Sequence, residues 1–376
     1  MGIKEKYNLK QINNQNLIKN TTIKTKIGRV SCLKINSPLY AQYELTENCN
    51  YKCIFCYNVW KNNKNKIDKK EYLTEKQQLK IIDKLAEMNI FGLIISGGEP
   101  LTSKSIFKII ERSSKKYKIE TSIITNGALL TEDVCKKLKE NGLSDMQISL
   151  HSFKEKDNDR ITGIRGSYKK TIRGIRKALK YFHSENININ MVPTKMTYQD
   201  VYSTAKFLKK LGIINFTVSS YVYTGNQKLD NMLAPSRENF QEIYNQIVKI
   251  KNKLHMNTFI GGCYPLCSLS KKIDKEVVSL IGNICDAGVT QIVISPQGEI
   301  RPCVAYNHIL GNILKDNPLK IWRNSKILKK IRRMENIPEE CSKCKYLVVC
   351  RGGCRASAYN RHKKLNDTHQ LLLENE

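Results

Sequence analysis

Thr46-Glu-Asn-Cys49-Asn-Tyr-Lys-Cys53-Ile-Phe-Cys56-Tyr57 is the stretch on which the reading of the chain turns. It follows the apolar run Leu39–Leu45, which suits a buried strand. Three thiols lie on one short loop, with three residues between the first pair and two between the second. Thiolates so placed can wrap three corners of a cubane iron–sulfur cluster. Such clusters normally take four cysteine ligands, so three leave one iron open. An open coordination position marks a catalytic rather than a structural centre, as it does for zinc. Three cysteines alone also allow a zinc site with a distant fourth ligand. The loop's place at the carboxyl end of a strand argues against that.

Working outward, a strand–helix alternation continues from the loop. Apolar runs at Phe91–Ser96, Ile119–Thr125, Met146–Leu150, Ile187–Val192 and Ile213–Tyr223 read as further strands. Between them lie helical patterns. Thr74–Met88 opens with the capping-box match Thr74-Glu-Lys-Gln77 and puts Leu79, Ile82 and Leu85–Ala86 on one face. Thr131–Glu140 stops at Asn141-Gly142, a C-cap signal. Ser167–Phe182 and Tyr198–Leu211 complete the set. Six strands with crossover helices predict an α/β fold, a parallel sheet buried on both faces. With about 25–30 residues per repeat, it forms a partial (β/α)6 barrel rather than a closed eight-fold one. Sites in such folds sit at the carboxyl ends of the strands.

The expected organisation is a basic arm over 1–36, the barrel over 37–224, a linker and bridging helix over 225–260, and a cysteine-rich domain over 261–376. The arm holds eight basic residues and one acid and is read as an arm or as one or two short strands. Gly225 to Pro235 reads as linker and Arg237–Lys253 as one helix. The last segment is dense in Cys, Gly and Pro, with too few apolar residues to build a core alone, a composition that usually needs metal to fold.

The chain has 376 residues, of which 40% are hydrophobic and 26% charged, a composition that excludes intrinsic disorder and allows a sizeable core. No apolar run reaches the ~18 residues of a membrane helix, and the N-terminus lacks an apolar signal core. A cytoplasmic protein is therefore expected, and there its 13 cysteines are metal ligands or catalytic groups rather than disulfides. Lys plus Arg exceed Asp plus Glu by 64 to 34, a net charge of +30. Lysines spread among abundant Asn and Ile are read first as a matter of genome composition. An acidic peptide or a nucleic acid as partner is the sharper reading.

The CxxxCxxC loop after the first strand resembles that of the radical S-adenosylmethionine (AdoMet) enzymes, and three further segments match in order. Strand two ends in Ser96-Gly97-Gly98-Glu99-Pro100, similar to the family's GGEP motif, which implies that Gly97, Gly98 and Glu99 hold the AdoMet amine. The glycines would let backbone approach the ligand closely, and Glu99 would accept from the ammonium. Thr125-Asn126-Gly127 resembles the TNG element near the AdoMet ribose. Ser149 at the end of strand four fits a polar contact to AdoMet. His151 stands where relatives often carry an acid; it is given no role and is read as a satisfied histidine. Phe55 is expected to pack against cluster or adenine. The resemblance implies that Cys49, Cys53 and Cys56 hold a [4Fe–4S] cluster whose open iron chelates AdoMet. One electron from a flavodoxin- or ferredoxin-type donor then breaks the sulfonium bond, and the 5′-deoxyadenosyl radical takes a hydrogen atom from substrate.

Cys263, Cys267, Cys285, Cys303, Cys341, Cys344, Cys350 and Cys354 crowd the last third. Their spacing, with Arg351-Gly-Gly-Cys354-Arg-Ala, resembles the SPASM domain and implies two auxiliary [4Fe–4S] clusters. By that resemblance Cys285, Cys303 and Cys354 serve the inner one with Cys267 or Cys263, while Cys341, Cys344 and Cys350 serve the outer one. Relatives usually carry a further cysteine beyond the Cys354 position, where this chain has Asp367-Thr-His369. Either Cys263 reaches the outer cluster, or its fourth position is His369, Asp367 or open; a non-thiolate or open position is favoured. Paired zinc ribbons are the alternative for the whole field. Cys32 and Cys135 lie outside it, and Cys135 is expected to be a small buried residue.

Relatives with this auxiliary domain mostly modify peptides or proteins, and that is the expected activity, with the net charge favouring an acidic leader. A tetrapyrrole-pathway enzyme is the alternative. A non-catalytic nucleic-acid-binding protein is the remote one, since no RNA-reading motif or paired aromatic platform is present.

Overall fold

Alternation of side chains decides the sheet. In the strand that precedes the cysteine loop, Ala41, Tyr43 and Leu45 are all at most 1% exposed and belong to the main apolar core with Ile81, Ile82 and Leu85. Gln42, Glu44 and Thr46 alternate with them onto the other face. The computed structural model describes residues 18–25, 28–58, 73–269, 280 and 285–369. The strands in it are β1 (Ile18–Thr25), β2 (Gly28–Ile35), β3 (Tyr40–Thr46), β4 (Gly92–Gly97), β5 (Glu120–Thr125), β6 (Asp145–Ser149), β7 (Ile187–Met191), β8 (Asn215–Ser219), β9 (Asn257–Gly261), β10 (Gln291–Ile294), β11 (Glu299–Arg301) and β12 (Gly311–Asn312).

The six expected strands are β3 to β8, each hydrogen-bonded in parallel to the next. Two additions extend them. β9 joins β8 in parallel, and β10 joins β3 in parallel, bringing β11 and β12 with it antiparallel. The order β12-β11-β10-β3-β4-β5-β6-β7-β8-β9 leaves two edges, so the barrel is open. The cysteine-rich segment therefore does not stand apart. Its Ile292, Ile294, Ile300, Trp322 and Leu328 share the main core, which supplies the apolar burial that the segment lacks by itself.

Both faces are largely buried, as expected, and they differ in character. The face toward the helices is apolar, but the inner face is polar. Gln42 donates to Ser96 (2.7 Å), Asn188 to Gln147 (3.0 Å), Thr217 to Asn188 (3.1 Å) and Ser219 to Asn190 (2.6 Å). These cross-strand bonds satisfy groups that could not be left unpaired inside a dry core.

The helix Glu75–Glu87 carries the capping box: Gln77 N–H donates to Thr74 Oγ1 (3.3 Å), and Thr74 N–H to Gln77 Oε1 (2.8 Å). Its buried face is Ile81, Ile82 and Leu85, with Leu79 and Ala86 only partly covered, so the stripe is rotated from the expected one. Helices Glu132–Glu140, Ser167–Tyr181 and Val201–Lys210 also form as read. Arg237–Lys249 is α-helical and runs on as a π turn over Ile250–Leu254.

The linker reading of Gly225 to Pro235 does not hold. Gln227–Leu233 is a helix capped by Asn226, and Asp230, 1% exposed, accepts from Tyr221 Oη (2.8 Å), Thr224 N and Oγ1 (3.0 Å each) and Gly225 N (3.1 Å). One buried carboxylate thus locks the chain leaving β8. In the arm, β1 and β2 form a separate antiparallel pair, and Trp322 Nε1 donates to the Ile35 carbonyl (3.1 Å) at its exit. The arm's first 17 residues lie outside the described ones. Cys135 is fully buried in the core.

Candidate functional site

The cysteine loop leaves β3 through an irregularity between Glu44 and Thr46, where the register with β4 shifts. Such a bulge re-aims a chain at a barrel rim. The loop is pinned from two sides. Gly98 N–H donates to Thr46 O and Glu99 N–H to Asn48 O, both at 2.7 Å. Lys52 and Ile54 N–H donate to Thr162 and Ile161 O at 2.9 Å. Tyr51 Oη reaches Ser167 O at 3.0 Å. Cys49, Cys53 and Cys56 are half-buried, and Tyr51 N–H points at Cys49 Sγ (3.4 Å).

The glycines of Gly97-Gly98 have a more immediate task than ligand approach. A Cβ on Gly98 would lie 2.2 Å from Asn48 O, and one on Gly97, at φ +130°, 2.5 Å from Thr46 O. The room that glycine frees is filled by the cysteine loop itself. Glu99 differs from expectation in the same way. It is 0% exposed, and its carboxylate accepts from Asn126 N (2.8 Å), Thr125 Oγ1 (2.8 Å) and Leu101 N (3.1 Å). Burial pushes its acid up to about 7, and these donors pull the other way. Glu99 therefore fastens the end of β5 to the end of β4. Asn126 continues the chain of contacts, donating from Nδ2 to Asn50 Oδ1 (2.7 Å) inside the cysteine loop. Ser149 ends β6 in register with Asn190.

Phe55 packs in a small cluster with Ile161, Tyr221, Tyr223 and Leu233, and its ring meets the edge of His151 at 4.8 Å. His151 is buried, its Nδ1 accepts from Val192 N (3.4 Å), and burial pushes its acid down to about 4, so it is a neutral wall residue.

The eight later cysteines separate into two groups. One cavity is lined by Cys263, Cys285, Cys303 and Cys354, a second by Cys267, Cys341, Cys344 and Cys350. Cys263 and Cys267 part because the chain enters at Pro265 the 3-10 turn Leu266–Ser268, which carries Cys267. In the first group Cys263 hydrogen-bonds Cys285, drawing the Cys285 thiol down to about 6 and its partner up. Burial pushes Cys303 up to about 12 and Cys341 to about 11. Burial alone favours the neutral thiol, and a bound cation reverses this. His369 lines neither cavity. It is buried against Gly353, with its ring 6.3 Å from that of Tyr223. Cys267 thus stands with Cys341, Cys344 and Cys350, Cys263 with Cys285, Cys303 and Cys354, and His369 with neither group.

Among the described residues no three His, Cys, Asp or Glu side chains are closed into metal-ligating geometry. The donor chemistry nevertheless fits iron–sulfur clusters. The sets are all sulfur, and backbone N–H groups aim at sulfurs in each: Tyr51 at Cys49, Ala305 at Cys303, Ser357 at Cys354 and Leu266 at Cys350, all 3.4 Å. Hydrogen bonds to sulfur are among the levers that tune such clusters. Three residues that the sequence reading did not single out join these sites. Arg301 and Glu44, 1% and 2% exposed, form a buried ion pair linking β11 to β3 beside Cys303. Arg355 lies beside the first cavity.

Residues 43–208 match the Radical SAM superfamily, and residues 285–345 match SPASM, an iron–sulfur cluster-binding domain. The chain is 26% identical over 335 residues to an AdoMet-dependent heme synthase of Methanosarcina barkeri, covering 86% of this chain and 93% of that one. It is also 26% identical to the mycofactocin maturase MftC of Mycolicibacterium smegmatis, covering 86% and 80%. Streptococcus suis SuiB bound to its precursor peptide SuiA shares the fold, with a TM-score of 0.71, 19% identity, and 90% and 76% coverage. The two domains imply [4Fe–4S] clusters and AdoMet. The chain thus carries a radical SAM domain followed by a SPASM domain and is an enzyme of the radical SAM kind.

Proposed function

We propose that this enzyme modifies a peptide or protein substrate in the reducing cytoplasm, drawing electrons from a flavodoxin- or ferredoxin-type donor. The observation that carries the catalytic part is the three-thiol loop pinned at the carboxyl ends of parallel strands. A maturase among the relatives and the net charge of +30 support the substrate class.

In this reading Cys49, Cys53 and Cys56 hold three irons of the catalytic cluster. Cys263, Cys285, Cys303 and Cys354 hold the inner auxiliary cluster, and Cys267, Cys341, Cys344 and Cys350 the outer one. The catalytic cluster and AdoMet, once bound there, would supply one-electron cleavage of a sulfonium bond and hydrogen-atom abstraction. The protein's part is placement. Gly97 and Gly98 seat the loop against β4, and Glu99 sets the height of Asn126, whose side chain tethers Asn50 between two of the thiols. Ser149, Asn190 and Ser219 present polar groups from the inner face where a ligand's ribose, carboxylate or amide would lie. Phe55, His151 and Tyr223 form an aromatic wall that excludes water, which protects a reactive intermediate from side reactions.

The Methanosarcina heme synthase favours a second reading, a tetrapyrrole substrate. One experiment decides between them. Reduced enzyme and AdoMet are incubated in parallel with peptides encoded beside its gene and with iron coproporphyrin, and both are followed by mass. A mass change confined to a peptide is expected. Conversion of the tetrapyrrole with every peptide intact would overturn the substrate class.

A further inference from the structure

Arg355 follows Cys354 at the start of the helix Arg355–His362. Every acceptor it reaches among the described residues is a main-chain carbonyl. Nη1 donates to Leu365 (3.0 Å) and Asp367 (2.7 Å), Nε to Gly353 (3.4 Å) and Nη2 to Gly352. Gly352 lines the cavity of Cys267, Cys341, Cys344 and Cys350, whereas Arg355 itself lines that of Cys263, Cys285, Cys303 and Cys354. As thiolates, Cys354 and Cys285 on one side and Cys341 and Cys350 on the other would each act on the guanidinium. Among the described residues this partly buried cation is held by carbonyls with no carboxylate bonded to it, and burying an unpaired charge is costly. Arginine cannot relieve that cost by losing its proton.

We propose that Arg355 is the counter-cation shared by the two auxiliary clusters and raises the reduction potential of both. The inference rests on the ligand sets proposed above. A cubane with four thiolates is a net anion, and taking one electron from a reductant adds one negative charge. A fixed cation nearby stabilises the reduced form more than the oxidised one, and net charge is one of the levers on cluster potential. Lying between the cavities, one guanidinium acts on both clusters at once, while the catalytic cluster, held by residues 49–56, is bound elsewhere in the chain.

The test is a mediated dithionite titration of fully loaded enzyme, followed by EPR and visible absorption, on wild type, Arg355→Gln and Arg355→Lys. Gln keeps a hydrogen-bond donor without the charge. For Arg355→Gln the oxidised-to-reduced ratio of both auxiliary clusters at a fixed poise is expected to rise about tenfold, a negative shift of about 59 mV for a one-electron couple. The catalytic cluster stays unmoved, and Arg355→Lys recovers most of the shift. A purely structural role for Arg355 would leave the potentials in place. Unmoved potentials, or a shift in one auxiliary cluster only, with iron content at the wild-type value overturn the assignment of Arg355. Wild-type enzyme with iron for the catalytic cluster alone overturns the ligand reading beneath it, so the two failures are distinguishable.

Discussion

Gly98→Ala puts the seating of the cysteine loop to a sharp test. The added methyl would sit 2.2 Å from Asn48 O, 2.6 Å from Asn48 C and 2.7 Å from Glu47 O. All three atoms are backbone, so no side chain can swing aside. Reaching even the 3.0 Å floor of real Cβ contacts requires Asn48 to retreat by about 0.8 Å. That movement stretches the 2.7 Å bond from Glu99 N to Asn48 O to about 3.5 Å, where little of it remains. One lost backbone bond costs about 0.5–1.5 kcal/mol of stability. The displaced residue adjoins Cys49, and a misplacement of about 1 Å costs on the order of 100-fold in rate. The assay is 5′-deoxyadenosine formation by reconstituted enzyme, with Gly212→Ala as control. Gly212 has φ +91° but nothing within 4 Å, so alanine there brings backbone strain without touching the site. The expected order is a roughly 100-fold loss for Gly98→Ala and less than threefold for Gly212→Ala. Equal rates in the two variants would refute the claim that these glycines exist to admit the loop backbone.

Glu99 has a folded-state acid value near 7, above its value in the unfolded chain. Its contribution is therefore fully present below about pH 4.5 and is lost as pH rises through about 7, up to roughly 3 kcal/mol in all. The stability gap between wild type and Glu99→Gln should narrow from pH 5 to pH 8 in chemical denaturation; a gap that widens contradicts the sign. Cys267→Ala should cost one cluster's worth of iron, whereas His369→Ala keeps the full complement; the opposite pattern would return the histidine to the outer cluster. Arg301→Met leaves Glu44 buried without its counter-charge and should cost about 3–5 kcal/mol, most of it recovered in Arg301→Met/Glu44→Leu. A single variant with a wild-type melting temperature would show the pair to be dispensable.

What the sequence makes legible is what short-range rules control. Strands β3 to β8 read clearly because each is a short run rich in apolar and β-branched residues, and the caps at Thr74 and Thr131 read because their partners lie three residues away. The cysteine loop is visible for the same reason, since all its thiols are local. Long-range pairing is not. Nothing near Gln291–Ile294 says that this strand will lie beside Tyr40–Tyr43, which is how the last segment comes to share the barrel's core. The partition of eight cysteines fails for a related reason. Cys263 and Cys267 are four residues apart, and only the turn after Pro265 sends them to different cavities. Gly97 and Gly98 announce a close approach, but the object approached is a loop some fifty residues earlier in the chain. The helix Gln227–Leu233 is hidden behind polar residues, because the bonds that hold it in place converge on one buried acid, Asp230.

The claim on which the account rests is that Cys49, Cys53 and Cys56 together hold a redox-active cubane open to AdoMet. Its most direct test is to quantify iron and 5′-deoxyadenosine in anaerobically reconstituted enzyme reduced with dithionite, beside Cys53→Ala prepared identically. 5′-Deoxyadenosine is expected from the wild type and none from the variant, with iron lower by one cluster. Absence of the nucleoside from iron-replete wild type, or equal amounts from both proteins, would contradict it.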